Sequence, residues 1–148
     1  MATEPDVDSL AACEAVRRLR ASYTHHIDSG EWTDWAALFT EDAWYGFADT
    51  EGYRGREEIL AFAREAVSDL YSFSIHTATM SRLSVDPDSG TGTGEWVMLV
   101  YYEMPDGPRG WVFGEYEDEY RRVDGFWKFA TMVTTVHRDT GDGAPHIA

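Results

Sequence analysis

Hydrophobic residues recur every three or four positions in the N-terminal part of the chain and every second position from about residue 71 onward. The first spacing is typical of amphipathic helices and the second of half-buried strands. Three helices followed by a meander of long antiparallel strands predict an α+β fold. We expect the chain to form one domain over residues 1–148, with its core over about 8–137 and a loose, glycine-rich tail over 138–148.

The helices are predicted over about residues 8–29, 31–39 and 56–69. The buried face of the first helix is marked by apolar residues three or four positions apart: Leu10, Cys13, Val16, Leu19, Tyr23 and Ile27. The segment "DSG" at 28–30 is expected to end this helix, because glycine readily adopts the left-handed conformation that closes a helix.

One short strand, "DAWYGFA", is predicted between the second and third helices, and four longer strands follow. The longer candidates are "YSFSIHTATMSRLSV", "GEWVMLVYYEM", "GWVFGEYEDEYRRV" and "FWKFATMVTTVHR". The pair "DG" at 124–125 is typical of a tight hairpin between the last two. These strands predict a curved sheet, formed mainly by residues 71–137, with the helices packed inside it.

Composition and charge exclude several classes of function. Asp and Glu number 27 against 12 Lys and Arg, a formal net charge of -15. Such a surface repels phosphate backbones, so we expect no nucleic-acid partner. The chain has one cysteine, Cys13, which leaves no internal disulfide framework and no cysteine-based metal cluster. No apolar run is long enough for a membrane span and no signal-peptide pattern is visible, so we expect a cytoplasmic protein without a membrane partner.

Two polar residues stand in otherwise apolar settings. His76 lies inside a predicted strand, and Asp28 lies at the polar end of the first helix's apolar stripe. Strand alternation places Ser74, His76, Ala78 and Met80 on one face. From the residues alone, Asp28 is as well explained by capping of local backbone, and His76 by a hydrogen bond to a neighbouring strand or to water.

Four segments, in their order and spacing, resemble the nuclear transport factor 2-like superfamily, in particular its SnoaL-like and scytalone dehydratase-like branch. They are "YTHHIDSGEWTDWAALFTEDAWY", "YRGREEILAF", "IHTATMSRLSVD" and "GEYEDEYRRVDGFWKF". The resemblance spans roughly residues 8–137 and extends to bile-acid 7-alpha-dehydratase. It implies a cone-shaped α+β barrel, in which three N-terminal helices pack in a curved, mainly antiparallel sheet around a hydrophobic cavity.

The dehydratases of this branch use a tyrosine and an aspartate on the first helix and a histidine on the first long strand. Tyr23, Asp28 and His76 fall at the matching positions, so the resemblance implies that they are catalytic. The histidine would take a proton next to a carbonyl, the aspartate would orient its ring, and the tyrosine would polarise the carbonyl. We therefore expect Asp28 and His76 to lie within hydrogen-bonding distance, with the Tyr23 hydroxyl facing the same space.

Four further residues are expected to contact substrate: Tyr45, Met80, Tyr101 and Tyr116. The resemblance suggests Tyr45, because scytalone dehydratase has another pocket tyrosine near this strand, and Tyr116 shares a strand face with Tyr120. The dehydratases carry a histidine or an aspartate on the next strand, where this chain reads "EWVMLVYYE". Tyr101 and Glu103 are the available substitutes there, although both are equally explained as exposed strand residues.

The resemblance implies a cofactor-independent lyase or isomerase, dehydratase-like or cyclase-like, that acts on a small, largely apolar, carbonyl-bearing molecule. The alternative is a non-catalytic protein that binds a small ligand on the same fold. We expect no cofactor and no metal site, since His25 and His26 are adjacent on a helix and point about 100° apart. Relatives commonly bury the outer face of the sheet, so we also expect a homo-oligomer, a dimer or a trimer.

Overall fold

The computed structural model describes residues 4–141, which form an α+β fold as predicted. The helices are α1 (Val7–Ser29), α2 (Trp32–Ala36) and α3 (Arg56–Phe62), and α3 continues into a π-helical turn over Ala63–Val67. The strands are β1 (Phe39–Phe47), β2 (Tyr53–Arg54), β3 (Phe73–Asp86), β4 (Thr91–Glu103), β5 (Arg109–Val123) and β6 (Phe126–Asp139).

The six strands form one curved, unclosed sheet in the order β2-β1-β6-β5-β4-β3. Strands β3 to β6 pair with their sequence neighbours in the predicted antiparallel meander. Strand β1 pairs with β6 in parallel, so β2 and β3 form the two edges. The hairpin between β5 and β6 turns at Asp124 and Gly125, both with positive φ, as the "DG" pair predicts.

Helix α1 positions one wall of the site. The Asp6 side chain accepts a 2.8 Å hydrogen bond from the Ser9 backbone N–H at its start, and Gly30 closes it with φ 70°. The helix packs against β3 and β6, which brings its C-terminal end to the edge of the sheet. Its buried residues are Ala12, Val16, Leu19, Arg20, Tyr23 and Ile27. The predicted face was wrong at Leu10, which is 52% exposed, and it omitted Arg20, which is buried.

The second predicted helix, over 31–39, is shorter in the structure and ends at Ala36. Phe39 already belongs to β1, because Leu38 and Phe129 are joined by a backbone hydrogen bond of 2.9 Å that starts the pairing with β6. The spacing of Trp32, Trp35 and Leu38 suits a helix, but long-range strand pairing prevails over this local pattern.

Strand β3 contains a bulge that changes which face its residues occupy. Thr79 pairs with Val97 and Arg82 with Glu95, so one extra residue is inserted between them. Met80 has φ 51° there and is 82% exposed. The alternation that placed Met80 on the face of His76 is therefore wrong beyond Thr79.

Aromatic side chains fill much of the space between sheet and helices. The Tyr23 ring contacts four other rings, with centroid distances of 5.6–6.4 Å. Those partners are Trp35, Phe39, Tyr116 and Phe129. Within residues 4–141 no helix is both long and apolar enough to cross a membrane. Of the predicted loose tail, residues 138 and 139 end β6, while 142–148 lie outside the described residues.

Candidate active site

Asp28 and His76 form a close pair between the end of α1 and the edge strand β3. Oδ1 of Asp28 lies 2.6 Å from Nδ1 of His76, and Oδ2 accepts a 2.8 Å hydrogen bond from the His76 backbone N–H. The Ser74 hydroxyl donates to Oδ1 at 2.9 Å. The His76 side chain is 1% exposed and that of Asp28 is 21% exposed. The contact expected from the sequence is present, and its catalytic role stays a prediction.

This geometry assigns the hydrogen on the imidazole ring. A carboxylate can only accept, so Nδ1 carries the hydrogen and Nε2 of the neutral ring presents a lone pair. Nε2 is buried and makes no hydrogen bond with any of residues 4–141. The ring is therefore oriented by Nδ1, while Nε2 has no partner among the described residues.

Stability of the helix does not explain the position of Asp28. A negative charge in the last turn of a helix faces the negative end of its macrodipole, a cost of about 0.3–1 kcal/mol at an exposed site. The three hydrogen bonds from Ser74 and His76 offset this cost. A carboxylate in this place is thus maintained by its partners on β3.

A cleft of about 210 Å³ opens beside the pair. Its walls come from the end of α1, the turn after α3 and the start of β3, and they include Ile27, Trp32, Val67, Tyr71 and Phe73. Ligand pockets commonly measure about 300–1,000 Å³, so this cleft lies below the usual range and has room only for a compact molecule. A larger groove of about 940 Å³ lies elsewhere, is lined by Asp42, Glu119 and Arg121 among others, and contains none of the predicted site residues.

Tyr23 and Tyr45 are buried in the interior and share a hydrogen bond. Burial raises the pKa of the Tyr23 hydroxyl well above its ordinary value. Burial also raises the pKa of Tyr45, to about 12. Both phenols therefore keep their protons at neutral pH and act as hydrogen-bonding groups rather than as bases.

The other predicted contact residues divide between the two faces of the sheet. Tyr116 is fully buried and points inward, with its ring 5.9 Å from that of Tyr23. Tyr101 lies on the outer face, where its hydroxyl donates to Glu103 at 2.7 Å and its ring packs on Trp111. Tyr101 and Glu103 thus engage each other outside the interior, which supports their reading as outer strand residues. The bulge places Met80 away from His76.

Sequence reasoning missed the buried ion pair between Arg20 and Asp118. Nη2 of Arg20 lies 2.5 Å from Oδ2 of Asp118, which also accepts from the Tyr120 hydroxyl at 2.6 Å. The sequence contains a signal for each partner. Arg20 falls three positions before Tyr23 on the helical stripe, and Asp118 alternates with Tyr116 and Tyr120 on one strand face.

One group among the described residues has ligand atoms close enough for a metal ion. His26, Glu31 and Asp34 have side-chain ligand atoms within 4.8 Å of one another. Glu31 and Asp34 are exposed, and His26 already contacts Glu31 at 2.5 Å. Acidic surface groups of this kind are common without an ion. The group includes neither Asp28 nor His76.

The chain is similar in sequence to a known domain family and to known enzymes. Residues 8–133 match the model of the SnoaL-like domain. The chain is 27% identical over 145 residues to hexachlorocyclohexane dehydrochlorinase 1 of Sphingobium indicum, covering 97% of this chain and 93% of that protein.

Solved structures of similar proteins share this fold. The crystal structure of a type 2 hexachlorocyclohexane dehydrochlorinase superposes with a TM-score of 0.83 at 25% identity, covering 97% of each chain. A scytalone dehydratase-like protein from Novosphingobium aromaticivorans gives a TM-score of 0.84 at 24% identity, covering 95% of this chain and 92% of its own. At that identity the second likeness concerns the fold alone.

Proposed function

The chain belongs to the SnoaL-like domain family, and we propose that it is a cofactor-independent lyase whose Asp28–His76 pair removes a proton from carbon in a small, largely apolar substrate. The observation that carries the proposal is the His76 ring. Its Nδ1 is held by Asp28 at 2.6 Å, while its buried Nε2 makes no hydrogen bond with any described residue. A base needs such an oriented, available lone pair.

The proposed step is an elimination. Nε2 of His76 takes a proton from carbon, and the C–H electron pair forms a new double bond to the neighbouring carbon. The leaving group departs from that carbon with its own bonding pair. Asp28 accepts a hydrogen bond from Nδ1–H throughout and stabilises the imidazolium. The proton then returns to water through the cleft.

The substrate must make its C–H bond acidic. A neighbouring carbonyl does so, which is the class that the family resemblance implies. Neighbouring halogens do so as well, and the relatives named above are dehydrochlorinases, which remove hydrogen and chloride. The cleft volume of about 210 Å³ favours a compact molecule of either kind.

The test uses two probes with different readouts. Chloride release from γ-hexachlorocyclohexane reports elimination, and exchange of the α-protons of 2-tetralone in D₂O, followed by NMR, reports proton removal alone. We expect activity with at least one probe, and a loss of at least about 100-fold in kcat/KM on His76→Ala or Asp28→Asn. Asn retains one oxygen acceptor for the His76 backbone N–H, so it is the milder change at this position.

The control is a second histidine–carboxylate pair on the surface of the same protein. Nε2 of His137 lies 3.5 Å from Glu115, with both side chains about half exposed. His137→Ala and Glu115→Gln are expected to leave both activities unchanged. Equal activity of wild type and His76→Ala would overturn the proposal.

A non-catalytic ligand-binding protein is the second candidate, and the burial of the His76 side chain, which is 1% exposed, favours it. In that case the probes bind, but neither chloride release nor proton exchange exceeds the rate without protein. Affinity then depends on apolar residues of the cleft such as Trp32 and Val67, and is insensitive to Asp28→Asn.

A further inference from the structure

The Tyr116 hydroxyl is one of several buried side-chain polar atoms that have no partner among residues 4–141. Its side chain is fully buried on the inner face of β5, and its hydroxyl oxygen makes no hydrogen bond with any described residue. A buried hydroxyl without a partner is destabilising. Such a group is more readily explained by a ligand than by the stability of the fold.

Arg20 places a positive charge against this tyrosine. Its Cζ lies 4.1 Å from the centroid of the Tyr116 ring and 4.8 Å from that of the Tyr23 ring. One side of the guanidinium is neutralised by Asp118 at 2.5 Å, while Nε makes no hydrogen bond with any described residue. A cation on the ring face makes the phenol a better hydrogen-bond donor.

Tyr116 belongs to the same interior as the Asp28–His76 pair. Its ring lies 5.9 Å from that of Tyr23, which precedes Asp28 by just over one helical turn. Burial raises the pKa of the Tyr116 hydroxyl, Arg20 opposes that rise, and the charge of Asp28 adds to it. The tyrosine is therefore protonated at neutral pH.

We propose that the Tyr116 hydroxyl donates a hydrogen bond to the anion that forms when His76 removes a proton, with Arg20 as a positioning residue that holds and polarises the Tyr116 ring. The anion is an enolate oxygen or a departing halide, and in either case Tyr116 keeps its proton. The inference rests on the proposed function, because it identifies where the charge generated by that reaction is received. Tyr116 is fully buried and does not line the cleft, so the proposal requires side-chain movement to admit the ligand.

The binding test uses 4-nitrophenol, whose absorbance distinguishes the bound phenolate from the bound phenol. We expect wild type to bind the phenolate and Tyr116→Phe to bind it about 10- to 100-fold more weakly, the range for a hydrogen bond to a charged group. The matched control is Tyr120→Phe, four positions along on the same strand face. The Tyr120 hydroxyl is already engaged by Trp96 and Asp118. Tyr120→Phe should lower the melting temperature and leave phenolate affinity unchanged. Tyr116→Phe should weaken phenolate binding without lowering the melting temperature.

The role of Arg20 is tested with a variant that removes both charges of the ion pair, Arg20→Met with Asp118→Asn. We expect the bound probe to shift from phenolate toward phenol, a change that loosened packing alone would not produce. Arg20→Lys in the wild-type background retains the charge and should preserve the phenolate form. An unchanged fraction of phenolate in the double variant would overturn the positioning role.

The same assay separates this inference from the proposed function. His76→Ala should bind the phenolate as well as wild type does, because the anion subsite does not include the base. Tyr116-dependent binding without turnover of any probe would overturn the proposed lyase and leave the subsite standing. Equal binding by Tyr116→Phe and wild type, or no binding by wild type, would overturn the subsite whatever the turnover.

Discussion

At the residue scale, the most consequential pair apart from the candidate base is Arg20 with Asp118. Both side chains are essentially fully buried, and the carboxylate also accepts a hydrogen bond from Tyr120. Burial raises the pKa of Asp118, and Arg20 and Tyr120 oppose that rise. Removing one member of such a pair leaves the other charge buried without compensation, which costs more than the intact pair contributes.

Asp118→Ala is therefore expected to lower the free energy of unfolding by about 3–5 kcal/mol, measured by urea denaturation. The control is Glu95→Ala, which breaks an ion pair with Arg82 whose side chains are 52% and 83% exposed. Loss of such a surface pair should cost less than about 1 kcal/mol. Similar losses for the two variants would contradict the interpretation that Asp118 compensates the buried charge of Arg20.

One of the two side-chain pairs could be predicted from the sequence and the other could not. The proximity of Asp28 and His76 was predictable from two polar residues in apolar settings together with the family resemblance. The burial of Arg20 and Asp118 was not predicted. Each residue is charged, and a charged residue of a helix or strand is ordinarily expected on its exposed face. Only the pairing of their charges, 98 positions apart, makes both inward positions favourable.

At the element scale, the bulge in β3 determines which side chains face the interior. Alternation holds from Phe73 to Thr79 and is interrupted at Met80, which adopts a left-handed conformation. Sequence periodicity predicted the strand and its pairing, but it cannot locate one inserted residue. The parallel pairing of β1 with β6 could not be predicted from sequence periodicity either, because it joins segments about 90 positions apart.

Met80→Gly should raise the free energy of unfolding by about 1 kcal/mol, because a left-handed conformation penalises residues with a Cβ by roughly this amount. The exposed Met80 side chain contributes little packing to oppose this gain. Ser81→Gly, at a position of negative φ, should instead be destabilising by about 0.5–1 kcal/mol. Thermal or chemical unfolding of both variants checks the sign, and a loss of stability in Met80→Gly would contradict the assignment of strain to this position.

At the scale of the whole molecule, the outer face of the sheet remains partly apolar. Ile75, Tyr101 and Trp111 are cross-strand neighbours on that face. Exposed large hydrophobic residues around them are Phe73, Val97 and Phe113. Contiguous apolar patches of this kind commonly mark contacts between proteins, and another copy of this chain is the occupant that we propose.

We expect light scattering to give the mass of a dimer or a trimer, and Trp111→Glu to shift it toward the monomer. Phe126→Glu, at an exposed residue of the hairpin between β5 and β6, should leave the mass unchanged. Each copy carries a formal net charge of -15, so added salt should strengthen the association by screening repulsion. A monomer at all protein and salt concentrations would contradict this prediction.

The double contact of Asp28 with His76 also bears on aggregation. Strand β3 is an edge strand, and the unpaired N–H groups of an edge invite an incoming strand from another molecule. Oδ2 of Asp28 already accepts the His76 backbone N–H, while α1 packs against the same strand. The candidate catalytic carboxylate thus also blocks edge-to-edge polymerisation at this point. A variant that removes it to abolish chemistry exposes a template for intermolecular strand addition.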